Sequence, residues 1–256
     1  MINNKLEIQD IRNSLNEFEK ERNESNSRYL SWEHCITKFA AVFESLKSGK
    51  IKKEDISDEQ IDCLSLNLAF YLASWGMMRG STELLQYDYK IHIPCVKRLL
   101  EFANLFCIDF LEPSNTENLK ELENLSSAIA NSYTEEAVQK RPLEKVSDTL
   151  ITKIIMGTFG IVPAYDDFVK AAVKYYGITT GKFNEKSIFK LIKFFSEEKI
   201  KTEITDWTKK MKNYCPYYTP MKVIDSSLWK LGKPITEEKN RKPKISRKLG
   251  KTDINL

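Results

Sequence analysis

Histidine occurs only twice in this 256-residue chain, and glycine, proline and cysteine are sparse at nine, eight and five. So few glycines and prolines leave little material for the turns of a β-sandwich or a glycine-rich α/β enzyme, and they favour helix. The cysteines (Cys35, Cys63, Cys95, Cys107, Cys215) are odd in number, widely spaced and never C-x-x-C, against a zinc ribbon or a thioredoxin-like redox site. Buried free thiols in a reducing compartment account for them. His34 and His92 fall on different elements and are too few for a metal centre, so neither metal nor cofactor is expected. There is no G-x-x-x-x-G-K-[ST], no G-x-G-x-x-G and no G-x-S-x-G, which removes nucleotide-hydrolysing, Rossmann and serine-hydrolase readings. The longest apolar run, near Leu68–Met78, is broken by Ser74 and falls short of the ~20 residues a membrane span needs. MINNKLEIQD carries no apolar signal core. The expectation is a cytoplasmic protein with no membrane partner.

What is present is a globular composition, 41% hydrophobic and 30% charged, too apolar for a disordered chain. The formal charge of +4 is unevenly placed. Residues 233–256 hold eight basic side chains (among them Lys242, Lys244, Arg247 and Lys248) against three acidic ones, so this stretch carries +5 and the body −1. Such a basic stretch suits a polyanion such as nucleic acid, or is simply a solvated terminus.

Apolar spacing predicts about nine or ten helices and an all-α, two-lobed bundle. An amphipathic helix carries Leu6, Ile8, Ile11, Leu15 and Phe18. A second runs from about Ser31, with Ser31 or an earlier polar residue as cap, to Ser48, stopped by Gly49. Residues 61–78 are apolar on every face and predict the buried central helix. The alternation of Tyr87–Ile93 reads as an extended connection. Pro94 starts a helix to Leu111, and 118–130 is amphipathic. Lys140-Arg-Pro-Leu-Glu-Lys is a break between an N-terminal lobe (1–140) and a C-terminal lobe (141–232). Beyond it come a helix capped by Ser147, a turn at Gly160-Ile-Val-Pro163, a helix stopped by Gly177, one over Asn184–Ile200, and a last one opened by Thr219-Pro220 and ended by Gly232. A flexible basic tail, 233–256, follows.

Lys153 and Asp166 stand out in Leu150-Ile-Thr-Lys-Ile-Ile-Met-Gly-Thr-Phe-Gly-Ile-Val-Pro-Ala-Tyr-Asp-Asp-Phe-Val169. The first lies in a helix, the second at the start of the next, where a carboxylate also suits the helix dipole. Phe70–Thr82 offers Trp75 and Arg79 one turn apart, an aromatic and a cation suited either to core packing or to a ligand pocket. In Ser31-Trp32-Glu33-His34, Glu33 and His34 are an acid–base pair or, more simply, first-turn residues beside a half-buried Trp32. Asp148, Asp166, Asp167 and Asp225 are the carboxylates a metal-dependent nuclease would use.

The 150–169 segment resembles the helix–turn–helix of the helix-hairpin-helix superfamily of DNA glycosylases, in which a lysine-bearing helix leads to P-V-D and a catalytic aspartate. It is closer still to glycosylase-like bacterial proteins with a T/S-K helix before P-I-Y-D. Ser31–Cys35, Phe70–Thr82 and Pro220–Asp225 are similar to segments of a widespread bacterial family. Some glycosylase-like proteins of this kind act in antiviral defence by removing modified bases from phage DNA. The resemblance implies a glycosylase-like fold, double-stranded DNA (phage DNA with modified bases included) as partner, and base flipping with N-glycosidic hydrolysis. It places Asp166 as catalytic carboxylate and Lys153 as the Schiff-base lysine of bifunctional members. A carboxylate stabilises the cationic sugar or activates water, and a lysine of lowered pKa attacks the sugar carbon. Trp75, Arg79, Tyr165 and Trp32 would then surround the base, with Lys182, Lys242, Lys244, Arg247 and Lys248 on phosphate. The L-P-G-[VI]-G hairpin of these enzymes is absent, Gly177-Ile-Thr-Thr-Gly-Lys182 being its loose analogue, and no cluster cysteines occur. The alternative from the residues themselves is a non-catalytic helical module that binds nucleic acid or protein.

Overall fold

The computed structural model describes residues 5–80, 82–139 and 141–249, with side chains as far as residue 239. Among the described residues there are ten α-helices and no strand, the all-α bundle that the apolar spacing predicts. In order they are α1 (Ile8–Arg22), α2 (Leu30–Lys47), α3 (Asp58–Ser74), α4 (Ile93–Leu99), α5 (Leu119–Thr134), α6 (Asp148–Thr158), α7 (Asp167–Tyr175), α8 (Glu185–Phe195), α9 (Glu198–Met211) and α10 (Pro220–Leu249).

Side-chain caps set several of the starts. Ser57 and Gln60 form a reciprocal box at α3, and Ser147 accepts from the Leu150 amide at α6. Asp166 caps α7, Asn184 caps α8, and Thr219 accepts from the Lys222 amide at α10. Ser31 is not a cap: it lies inside the first turn of α2, where its hydroxyl donates to the Arg28 carbonyl.

Several expected boundaries move. The 94–111 helix breaks after Leu99 and tightens into a 3-10 stretch, Leu100–Leu105. Tyr87–Ile93 is not extended, since Tyr89–His92 forms another 3-10 turn capped by Asp88. Asn184–Ile200 divides at Ser196–Glu197 into α8 and α9. The last helix does not stop at Gly232. A Cβ there would overlap the Phe168 carbonyl, so this glycine is the point at which α10 and α7 touch backbone to backbone, and the helix carries on to Leu249. The stretch read as a flexible tail is therefore helical to 249. Lys242, Lys244, Arg247 and Lys248 lie on it with side chains outside the described residues, as residues 250–256 are altogether.

The central element also differs from expectation. On α3, Leu66 and Phe70 are more than half exposed, so that helix has a solvent face. It is α6 that is buried all round: every residue from Leu150 to Thr158 is covered, by α2, α3 and α5. Residues 221–230 of α10 are buried likewise, against α7, α1 and α9. The packing crosses the break at 140–145, because α1 from the N-terminal stretch lies on α10 and α6 lies among α2, α3 and α5. The thiols are more varied than expected: Cys35, Cys95 and Cys215 are buried, Cys107 is half-buried and Cys63 is exposed.

Candidate active site

The connection from α6 to α7 determines the site. It leaves α6 at Phe159 and turns at Gly160, whose φ of 71° is left-handed. It is then pinned to α10 twice, by the Thr219 hydroxyl donating to the Gly160 carbonyl and by the Ala164 amide donating to Asp225 Oδ1 at 2.9 Å. This delivers Asp166 to the N-terminus of α7, where its Oδ1 accepts from the Phe168 and Val169 amides, both at 3.1 Å. The second oxygen, Oδ2, faces Lys153 Nζ at 3.6 Å. Lys153 comes from the middle of α6, and its ammonium also donates to the Trp75 carbonyl at the C-terminal end of α3, at 2.6 Å. The anion thus sits at a helix N-terminus and the cation at a helix C-terminus, each at the end whose dipole favours it.

A second pair lies alongside. Lys222 and Asp225, one turn apart on α10, are joined at 2.9 Å, with the Lys222 ammonium 5.1 Å from the Trp32 ring centre and 5.9 Å from that of Trp75. The two pairs, Ser226 and the rings of Phe18, Tyr29, Tyr71, Trp75 and Trp229 line a narrow pocket. Tyr29, Trp75 and Trp229 form a continuous wall with centroids 5.5–6.1 Å apart, and Arg28 lies over all three at 5.0–5.7 Å. The pocket adjoins a wider, open cleft that carries Arg28, Arg79, Thr149, Asp167 and Phe168. Trp75, Lys153, Asp166 and Trp229 belong to both, so the charged pair stands where the narrow pocket meets the open cleft.

Burial perturbs both members of that pair. Desolvation holds the Lys153 ammonium below the usual lysine value, although Asp166 and Asp225 pull the other way. Desolvation raises the Asp166 carboxyl above the ordinary aspartate value against the pull of Lys153 and the Val169 amide. Each group is nearer to exchanging its proton around neutrality than its exposed counterpart. That is what a general base, or a lysine nucleophile, requires.

Of the expected site residues, Lys153, Asp166 and Trp75 come together at the pocket, and Arg79 lies on the outer cleft. The others do not. Trp32 is fully buried behind Lys222, with its indole N–H on the Met156 carbonyl and its ring on Tyr218. Tyr165 turns into the core against Phe183, because adjacent positions ahead of a helix point to opposite sides. Lys182 is exposed in the α7–α8 connection and lines neither cavity. Glu33 and His34 diverge: Glu33 is buried in a two-pronged ion pair with Arg22, and His34 is exposed. The four aspartates do not converge either, as Asp148 lines a separate groove beside Phe183. No group of three or more His, Cys, Asp or Glu among the described residues is placed to hold a metal ion.

The pocket and its outer cleft also use residues that sequence reasoning missed: Phe18, Tyr29, Tyr71, Lys222, Ser226 and Trp229 in the pocket, and Arg28 on the cleft. One signal was there. Lys222, Asp225, Ser226 and Trp229 recur at helical spacing inside an otherwise apolar stretch, and charges so placed must be paired inside the fold. The aromatics from α1, the α1–α2 connection and α3 carry no such mark. Family models, curated proteins and solved structures, when compared with this chain, yield no match. No helix among the described residues is long and apolar enough to cross a membrane.

Proposed function

We propose that this protein is a DNA glycosylase, or a close functional relative, that draws an extruded damaged or modified base into the aromatic pocket and cleaves its N-glycosidic bond. The observation that carries this reading is the position of Lys153 and Asp166 at the junction of the two cavities. A flat base in the inner pocket and its sugar–phosphate in the outer cleft would place the scissile bond beside the Asp166 carboxylate. Flipping a base costs a few kcal/mol, and stacking on an aromatic returns ~1–3 kcal/mol, so the wall of Tyr29, Trp75 and Trp229 fits the need.

In the reaction the bond between the sugar carbon and the base nitrogen breaks with its electrons leaving on the base. Asp166 Oδ2 stabilises the developing positive charge or takes a proton from the attacking water. The two amides on Oδ1 hold the carboxylate still while this happens. Lys153 keeps Asp166 ionised; in a lyase variant of the chemistry its neutral amine attacks the sugar carbon instead. Arg28 and Arg79 supply cations to phosphate at the cleft, and the basic residues of 233–256 add to the DNA surface. The modified bases of phage DNA belong among the substrates, and the cytoplasm, where such DNA is met, is the proposed location.

The test is an excision assay in EDTA on duplexes carrying a panel of damaged and phage-type modified bases. Alkali-revealed strand cleavage by the wild type that disappears in Asp166→Asn is the expected result, and a borohydride-trapped adduct lost in Lys153→Met assigns the lyase step. DNA binding with no base released from any duplex would overturn the enzyme reading in favour of a binding module. Loss of cleavage in EDTA would point instead to a metal-dependent nuclease.

A further inference from the structure

We infer that the pocket recognises an uncharged planar heterocycle rich in hydrogen-bond acceptors, and that Tyr71 and Trp229 are the residues that read it. Most polar side chains lining the pocket are already engaged. The Tyr29 hydroxyl donates to Glu21, the Trp75 indole to Ser31, and Ser226 to the Lys222 carbonyl. Lys153 and Asp166, and Lys222 and Asp225, satisfy one another and nearby backbone. Two donors remain. Tyr71 Oη and Trp229 Nε1 make no hydrogen bond among the described residues and both residues line the cavity; they are not sealed in the core, where the enclosed polar atoms without a partner are His92 Nε2 and Tyr165 Oη. A donor that faces a cavity and makes no bond within the fold gains a partner when a ligand brings an acceptor.

The protonation state agrees. Burial pushes the Tyr71 phenol well above its usual value, with Asp225, Cys35 and Asp166 adding to the shift, so the group stays protonated and donates. The ring is also placed by a specific device. Gly157, one turn after Lys153 on α6, has no side chain because a Cβ there would overlap the Tyr71 ring. Charge completes the description: two cations and two anions cancel inside the pocket, so an ionised ring would leave an unmatched charge. An oxo-bearing nucleobase has the flat face for the aromatic wall and the acceptors for the two donors. The inference rests on the base-excision reading only for the source of the ring, since a free base meets the same chemistry.

Calorimetric titration with hypoxanthine, uracil and indole tests it, because indole is flat and of similar size but has no oxo acceptor. The wild type is expected to bind the oxo-bearing rings roughly tenfold more tightly than indole, and Tyr71→Phe and Trp229→Phe each to lose most of that preference. Both substitutions keep the aromatic face. Gly157→Ala, which displaces the Tyr71 ring and keeps its hydroxyl, is expected to act like Tyr71→Phe. Competition by a duplex with an extrahelical hypoxanthine identifies DNA as the source of the ring, and its absence identifies the free base. Equal binding of indole and hypoxanthine, an unchanged preference in Tyr71→Phe and Trp229→Phe, or no binding of any ring overturns the inference. Selective binding of free bases with no excision from any duplex sinks the glycosylase reading and leaves this one standing. Excision unchanged in Tyr71→Phe does the reverse.

Discussion

Replacing Asp166 separates its two roles, because Asn keeps one and loses the other. The Asp166 side chain caps α7 through Oδ1 and faces the Lys153 ammonium through Oδ2. Asn is about as good a cap as Asp, so Asp166→Asn retains the amide contacts and removes only the charge. Lys153, with 6% of its side chain exposed, is then left with the Trp75 carbonyl and the more distant Asp225. Stranding a buried ion costs ~3–5 kcal/mol. The cost has a ceiling, since Lys153 can release its proton: from an ordinary value of 10.5 that takes about 4 kcal/mol at pH 7.5, and less here because burial has already lowered the value. We therefore expect Asp166→Asn to lose about 2–4 kcal/mol in urea denaturation at pH 7.5. Asp166→Ala should lose about 1 kcal/mol more, with the cap.

The pH dependence follows. A lysine whose folded value lies below its unfolded one binds fewer protons folded than unfolded, so the deficit of Asp166→Asn should shrink as pH rises from 7 towards 10. Lys153→Met combined with Asp166→Asn removes both charges, and its stability should return to within about 1 kcal/mol of wild type. That double variant would be folded and yet inactive in base release, which separates catalysis from stability. An Asp166→Asn protein as stable as wild type at pH 7.5, or a double variant no better than the single one, would refute the coupling argued for this pair.

Base release should follow an acid limb set by Asp166, with activity lost at a higher pH than an exposed aspartate would give because burial raises its value; a limb centred at or below 3.8 counts against Asp166 as the group titrated. His92 is buried beside the Tyr133 hydroxyl, and desolvation lowers its value from 6.5 to about 4. The folded state thus resists a proton that the unfolded state accepts, so this contribution to stability is complete above about 6.5 and is lost as pH falls towards 4. About 2 kcal/mol should go between pH 7.5 and 5, as urea denaturation would measure, and His92→Gln should lose that slope. Gly232→Ala should destabilise by about 1–3 kcal/mol despite alanine's better helix propensity, because its methyl meets the Phe168 carbonyl; a more stable variant would show that α7 and α10 do not touch there.

The helices and most of their starts were legible in the sequence because their causes are local. Ser147 before a periodic apolar run and Thr219 before Pro220 announce helices that the structure contains. The pairing of Lys153 with Asp166 was legible only through a resemblance, and it took the fold to put the two 3.6 Å apart. Where local signals misled, a tertiary contact decided: Gly232 has the look of a stop, yet it lies mid-helix because another backbone passes against it.

Composition and periodicity determined by themselves an all-helical chain, with Lys153 and Asp166 on two consecutive elements. Only the tertiary structure decided which helices are central, that Trp32 and Tyr165 belong to the core, and that Phe18, Tyr29, Tyr71 and Trp229 converge on that pair. The physical reason is range. Caps, turns and amphipathic faces are set by residues three or four positions apart, whereas this pocket is assembled from α1, α3, α6 and α10, and no pattern along the chain records which aromatic faces will meet.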